Sequence, residues 1–200
     1  MDARIDLVPP GRRGGCNCWL VGDDDEVIVV DPGTDPEPVL AAVAEREILA
    51  IICTHGHAGH VAAAPAVAAA SEAPMFLHPA DTLSWQEAGL AAGPAVEMAP
   101  GGVFEVSDVT LEVLPTPGHS PGSVSLYCQE LGAVLSGDAL LADGPGRHDG
   151  EYPDFPGQLS AIGAELLTLP EGTRVLPGHG EQITIGLAGR RFDAWAAAGA

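Results

Sequence analysis

The 200-residue sequence is 46% hydrophobic, enough to fill a sizeable core, and residues 1–200 are expected to form one domain. Eight basic against 28 acidic residues leave a net charge of −20, which argues against nucleic acid as a partner. No apolar run approaches the length of a membrane span, and residues 1–10 lack the basic patch and apolar stretch of a secretory signal, so no membrane partner and a cytoplasmic location are expected. Cys16, Cys18, Cys53 and Cys128 show no CxxC spacing and read as reduced thiols.

In chain order, residues 4–8 read as an edge strand and residues 11–15 as a glycine-rich turn. Residues 18–21 and 27–31 form a hairpin around Asp23-Asp24-Asp25, and Asp31-Pro32-Gly33 closes its second strand, with Asp31 read as a turn residue. Residues 36–46 carry proline near the start and an apolar stripe at Val39, Leu40 and Val43, which predicts an amphipathic helix. Residues 47–53 are a near-continuous apolar run, the pattern of a buried strand. That strand empties into Thr54-His55-Gly56-His57-Ala58-Gly59-His60, three of the seven histidines within six positions. Imidazole is the commonest transition-metal ligand, and an HxH pair in a turn can aim both rings at one ion.

Residues 61–71 are alanine-rich and helical in pattern, with Pro65 as a bend or first-turn residue; residues 74–78 read as a strand and 79–89 as a helix. His78, followed by proline, reads as structural, and residues 90–102 as a loop. A hairpin over residues 103–106 and 109–114 leads into Pro117-Gly118-His119-Ser120-Pro121-Gly122. Strands at 123–128 and 133–136 follow, the second ending at Gly137-Asp138. The Gly-, Pro- and Asp-rich span 140–156 offers Arg147, His148 and Tyr152 as candidate substrate contacts. A helix at 158–169, a strand at 173–176 ending in Pro177-Gly178-His179, a last strand at 182–185 and a helix at 187–198 complete the order.

His55, His57, His60, His119, Asp138 and His179 thus share one design: an apolar strand, a sharp turn and a polar residue. Strand ends of a layered α/β protein converge on one rim, so all six are candidate metal ligands. In these residues the chain resembles the metallo-β-lactamase fold superfamily, whose pattern is THxHxDH, then a PGH turn, a GD turn and a second PGH turn. It is most similar to the compact glyoxalase II-like (hydroxyacylglutathione hydrolase-like) branch, and Asn17-Cys18-Trp19-Leu20-Val21 and Val30-Asp31-Pro32-Gly33 extend the match over roughly residues 16–186. The resemblance implies a four-layer αβ/βα sandwich of two mixed sheets flanked by helices. It places His55, His57 and His119 on a first metal, His60 and His179 on a second, and Asp138 between them. Gly59 stands where the pattern has an aspartate that ligates the second metal.

Zinc, as one or two ions, is the expected cofactor, with Fe²⁺ and Mn²⁺ also compatible; the missing carboxylate predicts a second position that is partly filled or empty. Three neutral imidazoles leave zinc a full positive charge and an open position, which lowers the pKa of a bound water from ~15.7 to about 7. The expected function is hydrolysis of a small thioester or related ester by attack of metal-bound hydroxide, with His55, His57, His119 and Asp138 catalytic, activity reduced by Gly59, and a small molecule as the partner. Two alternatives stay open. One is an iron-dependent persulfide dioxygenase using His57, His119 and Asp138; the other is a metal-binding protein with impaired catalysis. The acyl group, the thiol and the oligomeric state are not encoded in any motif.

Overall fold

The computed structural model describes residues 2–11, 15–90, 96–147 and 153–198. Among these, twelve strands form two six-stranded mixed sheets. The first contains β1 (Arg4–Val8), β2 (Cys18–Gly22), β3 (Glu26–Val30), β4 (Glu47–Ile52), β5 (Met75–Leu77) and β6 (Val96–Glu97), neighbours in that order. The second contains β7 (Val103–Val106), β8 (Val109–Pro115), β9 (Val124–Cys128), β10 (Ala133–Gly137), β11 (Arg174–Pro177) and β12 (Ile183–Thr184), ordered β12-β11-β10-β9-β8-β7. Antiparallel hairpins begin each sheet, and β3 to β6 and β10 to β11 pair in parallel.

The alternation of side chains along the strands accounts for the layering. On β2, Trp19 and Val21 enter a central core with Leu111, Leu126 and Leu135 of the second sheet. Cys18 and Leu20, one residue out of phase, face the opposite way into an outer core. That outer core is shared with α1 (Pro36–Val43), α2 (Ala58–Val61), α3 (Ala64–Ser71) and α4 (Thr82–Glu87) through Val39, Val61, Val67 and Trp85. On β10, Leu135 faces inward and Val134 outward, onto Ile162, Leu166 and Ile185 of the segment containing α5 (Phe155–Ala161) and α6 (Ile185–Ala198). Strands buried on both faces read as continuous apolar runs because neither face is solvated. The result is the expected αβ/βα sandwich.

The local differences from the sequence expectation have identifiable causes. Within the span read as a loop, Val96 and Glu97 pair with Phe76 and Leu77, a two-residue strand too short to show periodicity. The alanine-rich helix is two pieces, α2 and α3, with Pro65 in the first turn of α3. The helix expected from residue 158 starts at Phe155, where Asp154 caps Gly157, and continues from residue 162 to 166 as a π-helix. His78 caps the turn that follows it, accepting from the amide of Ala80 at 3.3 Å. All four cysteines are free and buried, and burial pushes the Cys18 and Cys53 thiols well up. No helix among the described residues is long and apolar enough to cross a membrane.

Candidate metal centre

Five loops leave the same edge of the sandwich, after β3, β4, β8, β10 and β11, and two backbone hydrogen bonds stitch this rim across the sheets. Val124 donates to the Thr54 carbonyl at 2.9 Å, and Asn17 to the Gly178 carbonyl at 2.6 Å. Asn17 also donates through its side chain to the carbonyls of Pro177 and Gly180, so the turn bearing His179 is held from the other sheet. A Cβ at Gly178 would lie 2.5 Å from both Asp138 Oδ1 and the His60 ring, which explains glycine in that turn.

The six predicted ligands come together in two groups, and a third, overlapping group sets Asp31 beside His55 and His60. Donor atoms of His55, His57 and His119 lie within 4.8 Å of one another, and so do those of His60, Asp138 and His179. His57 Nδ1 and His119 Nε2 approach to 3.1 Å. Asp138 joins the groups: its Oδ2 is 3.3 Å from His60 Nε2 and 3.6 Å from His119 Nε2, and its Oδ1 is 2.9 Å from His179 Nδ1. His55, His60 and His119 are buried, whereas His179 is exposed toward the rim.

Hydrogen bonds behind the rings assign their tautomers. Thr54 donates its hydroxyl hydrogen to Asp31 Oδ2 at 2.7 Å, so toward His55 Nδ1, 3.1 Å away, that oxygen accepts. His55 therefore carries its proton on Nδ1 and presents a bare Nε2. His119 Nδ1 faces the Gly146 carbonyl at 3.3 Å, and His60 Nδ1 faces Asp31 at 2.9 Å, an arrangement that turns both Nε2 atoms toward the cluster. The Nε2 atoms of His55 and His60 are buried and find no hydrogen-bond partner among the described residues; the 3.3 Å contact of His60 with Asp138 lacks hydrogen-bond geometry. Buried, unpaired ring nitrogens converging beside a carboxylate fit a divalent metal ion.

Asp31 is more than the turn residue read from the sequence. It closes β3 with φ of 51°, is buried, and its carboxylate receives the Thr54 amide at 2.7 Å as well as the Thr54 hydroxyl and His60. The cue was Asp-Pro-Gly at a strand end, but the partners lie 23 and 29 residues away. Gln158 carries no sequence cue to its role: buried, it donates to the carbonyls of Asp138, Ala139 and Gly146 at 3.1 to 3.3 Å and so braces the loop after β10, whose Gly146 carbonyl faces His119 Nδ1. Arg147 is exposed, one residue from that Gly146 carbonyl. His148 and Tyr152 lie outside the described residues.

The electrostatics of the two groups differ in a way that predicts pH dependence. Burial holds His55 well below the usual 6.5, so it stays neutral and ready to ligate. Burial acts the same way on His60, but the facing Cys16, Asp138 and Asp31 outweigh it and hold His60 well above 6.5. Asp138 resists its own burial because His60 and His179 hold it well below the usual 3.8. In the metal-free chain, the stabilisation from charged His60 is complete below its unfolded value near 6.5 and is lost as pH rises through its elevated folded value. A metal must displace that proton, so binding beside His60 strengthens over the same rise. Thermal melts in chelator and in excess zinc check both signs: above pH 6.5 the metal-free midpoint falls while the zinc-induced increment grows. An increment independent of pH would contradict the charge state of His60.

Residues 11–179 match the Metallo-beta-lactamase superfamily. The probable metallo-hydrolase YqgX of Bacillus subtilis (strain 168) is 34% identical over 183 residues, covering 84% of this chain and 87% of its own. The hydroxyacylglutathione hydrolase GloC of Haemophilus influenzae (strain ATCC 51907 / DSM 11121 / KW20 / Rd) is 28% identical over 189 residues, covering 85% and 88%. Among solved structures, the BLEG-1 B3 metallo-beta-lactamase overlays with a TM-score of 0.83 at 31% identity, covering 95% of this chain and 97% of its own. TTHA1623 in a di-iron-bound form overlays with a TM-score of 0.76 at 34% identity, covering 92% and 97%.

Proposed function

This chain belongs to the metallo-beta-lactamase superfamily, and from that premise we propose that it is a metal-dependent hydrolase acting on a small thioester or related ester. The observation that carries the proposal is the convergence of two candidate ligand groups on Asp138, with the bare Nε2 of His55 and the buried, unpartnered Nε2 of His60 already oriented inward. His55, His57 and His119 would hold a first metal and His60, Asp138 and His179 a second, zinc being the ion that best suits an imidazole-rich set. A metal bound there supplies Lewis acidity toward a carbonyl oxygen and makes water a nucleophile near neutral pH.

The chain's own groups do the positioning. Thr54 fixes the His55 tautomer, Gly146 orients His119, and Asp31 orients His60. Asp138 brings negative charge between the two groups. Arg147 sits beside the Gly146 turn, where a cation would suit an acyl group bearing an anionic or hydroxyl substituent. A thioester is favoured over a lactam because a carboxylate, not a thiol, occupies the bridging place, and because the GloC relative is named for a thioester substrate. Four free, buried thiols suit a reducing compartment such as the cytoplasm.

Elemental analysis of protein purified without added metal, paired with turnover of 2-hydroxyacyl thioesters of several low-molecular-weight thiols, tests this reading. Zinc content of at least one ion per chain is expected, with hydrolysis abolished by chelation and restored by zinc. Iron content with oxygen consumption on a thiol persulfide would replace the hydrolase by the dioxygenase. Bound metal without turnover of any thioester would leave the metal-binding protein.

A further inference from the structure

Asp81 belongs to none of the candidate ligand groups, yet it is buried, 0% exposed, and both of its carboxyl oxygens are spent on the loops that carry the three-histidine group. Its Oδ2 accepts from the Gly56 amide at 2.8 Å and from the Ser120 hydroxyl at 2.6 Å, while Oδ1 accepts from the Gly122 amide at 2.6 Å. Gly56 lies between His55 and His57, and Ser120 follows His119. Ser123 completes the network, its hydroxyl 2.7 Å from that of Ser120 and accepting the Ser120 amide at 3.1 Å. One carboxyl group therefore spans the gap between the loop after β4 and the loop after β8, which belong to different sheets.

The support is rigid. Asp81 ends a 3₁₀ turn over Pro79–Asp81 and leads directly into α4, whose Trp85 is fully buried in the outer core of the first sheet. The fit is also close: a Cβ at Gly56 would stand 2.7 Å from the Asp81 carbonyl, and a Cβ at Gly122 would stand 2.8 Å from the Asp81 carboxyl. Glycine at both positions lets the two loops reach the carboxyl, and any lengthening of that bridge would move His55 and His57 relative to His119.

Resting on the metal-centre reading above, we infer that Asp81 is a positioning residue that sets the spacing of His55 and His57 against His119, and with it the affinity and geometry of the three-histidine metal position. It touches neither metal nor substrate and acts through Gly56, Ser120 and Gly122. Asp81→Asn keeps the shape but turns one acceptor into an NH₂ group facing an N–H or O–H donor. Outer contacts of this kind are worth about 10- to 100-fold in metal affinity.

The test is titration of full-length wild type, Asp81→Asn and Ser120→Ala with Co²⁺, following the visible spectrum, together with melting of the metal-free forms. Expected is an about 10- to 100-fold weaker first equivalent in Asp81→Asn with a shifted Co²⁺ spectrum, and a smaller change in the same direction in Ser120→Ala. A lowered metal-free melting point with wild-type affinity and spectrum would make Asp81 a fold-stabilising residue only and overturn the inference. Should Asp81→Asn fail to fold, Ser120→Ala decides by the same two readouts. Wild type that binds no Co²⁺ at all would instead remove the metal-centre reading, and the inference with it.

Discussion

Asp138→Asn is expected to lower kcat/KM for the thioester by about 100-fold or more and to cut bound metal below the one tightly held ion expected per wild-type chain. Loss of an outer contact alone costs about 10- to 100-fold, and Asp138 is proposed as a ligand itself. Its carboxylate meets His60 at 3.3 Å, His119 at 3.6 Å and His179 at 2.9 Å. An amide of the same shape fits the buried site, so the fold should survive, but it carries no charge and would aim an NH₂ group at an imidazole on one side or the other. Two cations held on either side would then face each other without an anion between them. The metal-free variant has a second signature: His60 retains Asp31 but loses Asp138, so its proton is held less tightly and melting becomes less sensitive to pH above 6.5. Elemental analysis and steady-state kinetics check the first effect, and a pH series of melts the second. Full metal content with kcat/KM within about threefold of wild type would exclude Asp138 from the centre.

The six candidate ligands could be picked out because each sits in the turn or short helix that follows a strand, and strands buried on both faces advertise themselves as apolar runs. His55 and His119 share no local sequence environment, yet both follow a β-strand into a glycine-containing turn, and the layered fold does the rest. What stayed hidden was the scaffolding that aims the ligands. Asp31, Asp81 and Gln158 each have a short polar side chain whose partners are 12 to 41 residues away, and no window along the chain distinguishes them from solvent-facing residues. Asn17 is more extreme, gripping Pro177 and Gly180 across 160 and 163 residues. The same limit explains the missed β6, which owes its two residues of pairing to β5 and not to any pattern of its own. Candidate ligands can be read from local sequence here; their orientation is a property of the assembled rim.

Gly59→Asp is expected to convert a centre with one tightly held ion into one with two. The resemblance places an aspartate of the second metal position at residue 59, and the structure leaves room for it: a Cβ there would meet nothing within 4 Å. The residue sits in α2 between His57, the cap of that short helix, and His60, a helical setting in which aspartate is no worse than glycine. In the metal-free chain the new carboxylate joins Asp31 and Asp138 around His60 and raises the negative charge from −20, so the variant gains nothing, or loses slightly, in melting temperature. With metal the sign is expected to reverse, because an anionic donor would add to the candidate second position formed by His60, Asp138 and His179. Each tenfold gain in affinity adds about 1.4 kcal/mol of stabilisation at saturating metal. Competition with a chromophoric chelator gives the two affinities separately, and melts with and without zinc give the crossing of signs. A wild-type chain that already holds two ions with equal affinity would mean that other groups complete the second position, and Gly59→Asp would then leave stoichiometry and the zinc-induced increment unchanged.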